Sequence, residues 1–153
     1  VMETTPPPVR IIAPGSAYRR DEVDATHLAQ FTQMEGLYVA EKVSLADLKG
    51  TLEFFFRELF GSGTNIQFRP HFFPFTEPSY EIDIRTEALG NEWMELAGCG
   101  MVDPNVFKSV GYDPETISGF AFGFGLERMA QIRFGVDHVK AFFDDDIRFL
   151  KQF

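Results

Sequence analysis

The sequence predicts an α+β fold, a mostly antiparallel sheet flanked by helices. Three observations predict it. Strand-like stretches follow one another with turn residues between them, so hairpin connections outnumber crossovers. Residues 80–86 alternate cleanly, with Tyr80, Ile82 and Ile84 opposite Glu81, Asp83 and Arg85. Helical periodicity is confined to a few segments with recognisable ends, chiefly 45–59 and 126–134.

Taken in order, residues 9–12 form a short strand broken by Pro14-Gly15, and 17–20 form a second. Asp21-Glu22-Val23-Asp24 makes an acidic turn. A longer strand spans 27–39 and places His27, Ala29, Phe31, Gln33 and Glu35 on one face. Ser44 caps a helix with Asp47 three residues on. Leu45, Leu48, Leu52, Phe55, Phe56 and Leu59 then keep helical spacing until Gly61-Ser62-Gly63 stops them. Strand 66–70 runs into HFFPFTEPS, where Pro74 and Pro78 argue against a central paired strand. Asn91 supplies a turn before strand 93–97, and Asp103-Pro104 opens a short helix. The final strand is 118–124, followed by the helix 126–134 that Gly135 ends. Three aspartates, 144–146, suit the positive end of a last helical turn at 147–152.

With 153 residues, 44% of them hydrophobic and 18 of them Phe, the chain has material for one domain with one core. A net charge of −9 argues against a broad basic footprint for nucleic acid and leaves room for a few local arginines. The single cysteine, Cys99, excludes an internal disulfide and a Cys-built zinc site, and fits a reducing compartment. His27, His71 and His138 are too widely separated for a metal-ligand pattern. No apolar run approaches the ~20 residues of a membrane span. The expected setting is cytoplasmic, away from membranes. Neither a G-x-x-x-x-G-K-[ST] loop nor a G-x-G-x-x-G after a strand is present, which removes the P-loop and Rossmann readings.

GFAFGFGLERMAQIRFG (119–135) carries the strongest local signal. Phe120, Phe122 and Phe124 fall on one side of a strand, and Gly119, Ala121, Gly123 and Gly125 on the other. The bare face suits either a closely packed helix or a flat ligand. Arg128, in the first turn of the next helix, joins Arg19 as a fork matched to phosphate, and either residue also suits a surface ion pair. On the 27–39 strand, Phe31 offers a plane for stacking and Gln33 with Glu35 can accept from an ammonium; a plain solvent-facing surface is the alternative. Phe72, Phe73 and Phe75 around Pro74 are core or a slot for a ring.

Together these residues resemble one family. YRRDEVDATHLAQFTQMEGL (18–37) is similar to motif 2 of class II aminoacyl-tRNA synthetases, and GFGLERMAQIRFG (123–135) to motif 3. RPHFFPFTEPS (69–79), GCGMVDPNV (98–106) and RFLKQF (148–153) narrow the resemblance to the alpha subunits of bacterial phenylalanyl-tRNA synthetases. It covers essentially the whole chain, with five blocks in order.

The resemblance implies a catalytic sheet of about seven antiparallel strands that makes phenylalanyl-adenylate from L-phenylalanine and ATP, then charges tRNA(Phe). Carried onto matching positions, Arg19 binds the α-phosphate and Arg128 the γ-phosphate end, while Asp21, Phe31 and Gly125 complete the ATP site. His27, Gln33 and Glu35 serve the amino acid and adenylate. Phe73 and Phe75 meet the substrate ring edge-to-face, with Ala121 as the floor and Gly123 beside it. Glu77 matches a magnesium ligand shared with the beta subunit. The implied partners are that beta subunit and tRNA(Phe), in an alpha2-beta2 heterotetramer. The implied extent is 1–153 as the C-terminal part of the catalytic domain, without the N-terminal coiled coil, motif 1 or the Thr-His-Thr-Ser stretch. Thr32, His71-Phe72, Asp103 and Asp21 depart from the family's usual residues. The competing reading is a non-catalytic synthetase-like module that binds nucleotide or a partner; a different class II specificity is disfavoured by FFPF and Ala121.

Overall fold

The computed structural model describes residues 1–20 and 29–153. Six strands build one antiparallel sheet: β1 (Val9–Tyr18), β2 (Gln30–Glu41), β3 (Asn65–Phe73), β4 (Thr76–Arg85), β5 (Met94–Val102) and β6 (Ile117–Gly125). Their order across the sheet is β1-β2-β6-β5-β4-β3, so β6 is inserted between the two hairpin halves of the chain. The helices are α1 (Leu45–Phe60), α2 (Pro104–Ser109), α3 (Leu126–Phe134) and α4 (Ile147–Leu150). The antiparallel α+β expectation holds, with six strands among the described residues. None of the described helices is long and apolar enough to cross a membrane.

α1 begins with a full capping box. The Ser44 hydroxyl accepts from the Asp47 N–H, and the Asp47 carboxylate accepts from the Ser44 N–H at 2.8 Å. Leu48, Leu52 and Phe56, four residues apart, bury one stripe of the helix. They pack with Ile82, Ile84, Leu96, Phe120 and Phe124 of the sheet, and Met129 and Ile132 of α3 join the same cluster. Each such buried side chain is worth about 1.5–3 kcal/mol. A second cluster, Val9, Val39, Val102 and Phe107, lies on the other face of the sheet, where α2 covers one end. Asp103 caps α2 by accepting from the Asn105 N–H at 2.7 Å. That contact gives the departure at position 103 a local role.

Two expectations are corrected. Pro14-Gly15 does not break the first strand: β1 pairs without a shift through Pro14↔Met34 and Gly15↔Gln33. β1 is an edge strand, where a missing N–H can face away from the ladder. Pro78, in turn, lies within β4, which has β3 on one side and β5 on the other. The register slips around it: Thr76 pairs with Val102, but Ser79 pairs with Gly100. Two residues therefore oppose one, and the bulge takes the proline out of the ladder. The Ser79 hydroxyl fills in by accepting from the Phe73 N–H at 3.2 Å and donating to the Thr76 carbonyl at 2.7 Å.

Candidate functional site

One row of residues crosses all six strands on the face away from α1: Ala13, Glu35, Gly123, Gly98, Glu81 and Arg69. Strand alternation turns all six residues toward the same side. At its centre two glycines from β6 and β5 face each other, and neighbouring side chains lean over both. A Cβ on Gly98 would meet the Phe73 ring at 2.8 Å, and one on Gly123 would meet the Glu35 carboxylate at 2.6 Å. The glycines are therefore the condition for Phe73 and Glu35 to lie flat on the sheet.

Above this row opens a cavity of about 530 Å³. One end holds Arg19, Phe31, Gly125, Glu127 and Arg128; the other holds Phe73, Phe75, Gly98 and Ala121. Gln33, Glu35 and Gly123 also line it. The Phe73 and Phe75 rings stack, with centroids 6.0 Å apart and planes 10° apart, and Phe75 remains 56% exposed. Beyond Ala121 the second core cluster closes the floor. The guanidinium of Arg19 sits 5.0 Å from the centroid of the Phe31 ring, a cation–π contact. Arg128 donates from Nη1 to the Glu95 carbonyl at 3.0 Å, which ties the start of α3 to β5.

The charges are divided. Arg69 pairs with Asp83 and with Glu81 at 3.0 Å, and reaches Glu95 at 3.4 Å, so one guanidinium bridges three carboxylates of β4 and β5 and offsets part of their charge. His71 Nδ1 lies 3.2 Å from the other Glu81 oxygen. Partial burial pushes the Glu35 carboxyl above its ordinary range, and Arg19 pulls it part of the way back. The group still faces an open cavity, so solvent screens the effect.

Ten of the expected site residues meet in this cavity: Arg19, Phe31, Gln33, Glu35, Phe73, Phe75, Ala121, Gly123, Gly125 and Arg128. Asp21 and His27 lie outside the described residues. Glu77 is exposed on β4 and is not in the cavity lining, although its neighbour Thr76 is. Among the described residues no three His, Cys, Asp or Glu side chains cluster as a cation site. The bare face is shorter than its sequence suggests. Gly119 is buried, and a Cβ there would strike the Tyr38 carbonyl at 2.5 Å and Val39, so it serves packing instead of the cavity. Phe72 is 73% exposed and belongs to neither core nor slot.

Sequence reading missed Gly98 and Glu127. Gly98 stands in GCG beside Cys99, and its pairing with Gly123 is visible only once β5 is set beside β6. Glu127 reads as the ion-pair partner of its neighbour Arg128, yet its carboxylate turns to β2 and accepts from the Thr32 N–H at 2.7 Å.

The family model for the tRNA synthetases class II core domain (F) matches residues 1–153. The phenylalanine–tRNA ligase alpha subunit of Trichlorobacter lovleyi is 55% identical over 156 residues, covering 96% of this chain and 46% of that protein. That of Clostridium beijerinckii is 50% identical over 161 residues, covering 99% and 48%. The chain spans about half the length of the curated relatives it matches. Among solved structures, a pyrrolysyl tRNA synthetase of Desulfitobacterium hafniense superposes with a TM-score of 0.60 over 91% of this chain and 46% of that one. At 23% identity that likeness speaks for the fold alone.

Proposed function

The chain belongs to the tRNA synthetases class II core domain family, and on that premise we propose that it is the adenylate-forming part of a phenylalanine–tRNA ligase alpha subunit. Its substrates are L-phenylalanine, ATP and tRNA(Phe). The observation that carries this reading is that Arg19 and Arg128 open into the same cavity as Phe73, Phe75 and Glu35. Two permanent cations, an acid and an apolar slot share one space.

The reaction joins the phenylalanine carboxylate to the α-phosphorus of ATP and expels pyrophosphate. The attacking oxygen is already ionised, so alignment and charge neutralisation matter more than proton transfer. Arg19 neutralises the α-phosphate and Arg128 the far end of the triphosphate, with Gly125 leaving backbone room between them. Phe31 stacks on the adenine, and the family match assigns Asp21 to the nucleotide. Glu35 and Gln33 accept from the substrate ammonium, and the family match assigns His27 to the same substrate. The substrate ring enters between Phe73 and Phe75 and stops at Ala121, beside Gly123. The Ala121 methyl offers a para-hydroxyl no acceptor, so a hydroxyl seated against it loses its hydrogen bonds to water, a penalty of about 1–3 kcal/mol.

Magnesium is implied by the family. It binds through one or two carboxylates plus phosphate oxygens, and an exposed carboxylate at the start of β4 fits that donor set. Glu77 would hold the ion jointly with the beta subunit, and the ion would neutralise triphosphate charge. The chain contributes residues 1–153 as one part of the catalytic domain, within an alpha2-beta2 assembly in the cytoplasm. The test is phenylalanine-dependent ATP–pyrophosphate exchange in the complete assembly. Arg128→Ala should abolish it; exchange at the parent rate would remove the phosphate role.

A further inference from the structure

Glu127 is the second residue of α3, is 8% exposed, and stands in the cavity wall next to Arg128. Its Oε1 accepts from the Thr32 N–H at 2.7 Å. Among the described residues, its Oε2 is buried without a hydrogen-bond partner. An unsatisfied buried carboxylate oxygen is rare and costly, and packing alone gives no return for it.

The position of Thr32 explains what the bond does. The β2–β6 ladder runs only as far as Gln33↔Gly125, so Thr32 and Phe31 project one and two residues beyond it. On the other side they pair with Ser16 and Ala17 of β1, the edge strand. The Glu127 carboxylate thus extends the attachment of β2 past the end of its inner ladder. It also joins the strand carrying Phe31 to the helix carrying Arg128. The contact uses the backbone of residue 32, so it is indifferent to the side chain there, including the threonine that departs from the family's usual residue.

We infer that Glu127 is a positioning residue: by holding Thr32 it fixes the gap between the Phe31 ring and the Arg128 guanidinium, and so the seat of a planar base. The inference rests on the nucleotide reading of the cavity given above. A glutamine can make the same bond to Thr32 through its amide oxygen. An alanine makes none, and an aspartate falls one methylene short.

The test compares two probes on the complete assembly by calorimetry, ATP and inorganic tripolyphosphate, with exchange kinetics alongside. Tripolyphosphate has the charges but no base to seat. Glu127→Ala is expected to weaken ATP binding about tenfold or more and raise its KM in parallel, with the KM for phenylalanine within about twofold. Tripolyphosphate affinity should not change, and Glu127→Gln should restore ATP binding to within about threefold of the parent. If the alanine variant does not fold, Glu127→Asp should show the same ATP-specific loss. Equal weakening of both probes, a glutamine variant as poor as the alanine or aspartate one, or unchanged ATP affinity would each overturn the inference. A parent that binds no ATP overturns the inference and the nucleotide reading together. ATP binding without phenylalanine-dependent exchange removes the ligase reading alone, and the two-probe comparison still decides the role of Glu127.

Discussion

The Glu35 carboxylate lies over the α-carbon of Gly123, its direct partner across the β2–β6 ladder; a Cβ there would sit 2.6 Å from Oε1 and 2.7 Å from Oε2. No side chain fits without moving the acid. Gly123→Ala should therefore push the Glu35 carboxylate off the sheet and out of reach of the substrate ammonium. The expected result is a KM for phenylalanine raised about ten- to a hundredfold, with the KM for ATP close to the parent value. Steady-state exchange kinetics separate the two. Equal loss for both substrates would show that the strand had moved instead of the acid.

The same acid should set the pH response of amino-acid binding. Burial raises the Glu35 carboxyl, and the Arg19 charge only partly opposes it. Glu35 therefore takes up its proton at a higher pH than an ordinary glutamate does. As pH falls from 7 toward the ordinary carboxylate range, the KM for phenylalanine should climb. Glu35→Gln should have a high KM and a flat profile over the same range. The sign for stability is opposite to that of a salt-bridged acid. Charge on Glu35 costs the free protein stability above the ordinary carboxylate value, and the cost disappears as pH falls through it. The glutamine variant should melt no lower than the parent at neutral pH, and the difference should close in acid. Thermal melts at two pH values check it.

The helices are legible in the sequence because their signals are local. Ser44 and Asp47 cap α1 within one turn, and Gly135 (φ 66°) ends α3 where its left-handed backbone requires. The bare face of β6 is legible for the same reason, since alternation is a property of neighbours. What the sequence does not display is register between strands distant along the chain. Gly98 and Gly123 are made partners by β6 passing between β2 and β5, and nothing local to either residue announces it. The same gap hides the destination of Glu127, whose partner Thr32 lies 95 residues away. Pro78 misleads for a related reason: a proline forbids a ladder bond, but a bulge with a serine hydroxyl can absorb the loss.

Cys99 lies within the β5 stretch that lines the cavity, yet it should be inert. Its side chain points to the α1 face and is 3% exposed, in the main core cluster. Burial pushes the thiol from 9.0 up to about 12, against a smaller opposing pull from Lys49. The thiolate, which is the reactive form, is then about a thousandfold scarcer at a given pH. Iodoacetamide at pH 8 should label Cys99 in denaturant and leave it unlabelled in the folded protein. Rapid labelling of the folded protein with loss of exchange activity would place the thiol in the cavity.

Ala121 decides how deep the slot runs. It pairs with Leu37 on one side and Gly100 on the other, and it packs against the cluster of Val9, Val39, Val102 and Phe107. A Cβ on Gly100 would strike the Pro78 carbonyl and Thr76 at 2.6 Å, so that neighbour offers no spare depth. On the proposed reading, the methyl of Ala121 is the group that meets the para position of the substrate ring. Ala121→Gly should admit p-chlorophenylalanine, improving its kcat/KM relative to phenylalanine by about ten- to a hundredfold, the range for a methyl-sized change in an apolar pocket. Tyrosine should gain less, because removing the methyl adds space but no new acceptor for its hydroxyl. The two analogues in the same exchange assay separate size from polarity. A variant that rejects p-chlorophenylalanine as strongly as the parent would mean that the ring does not end at Ala121.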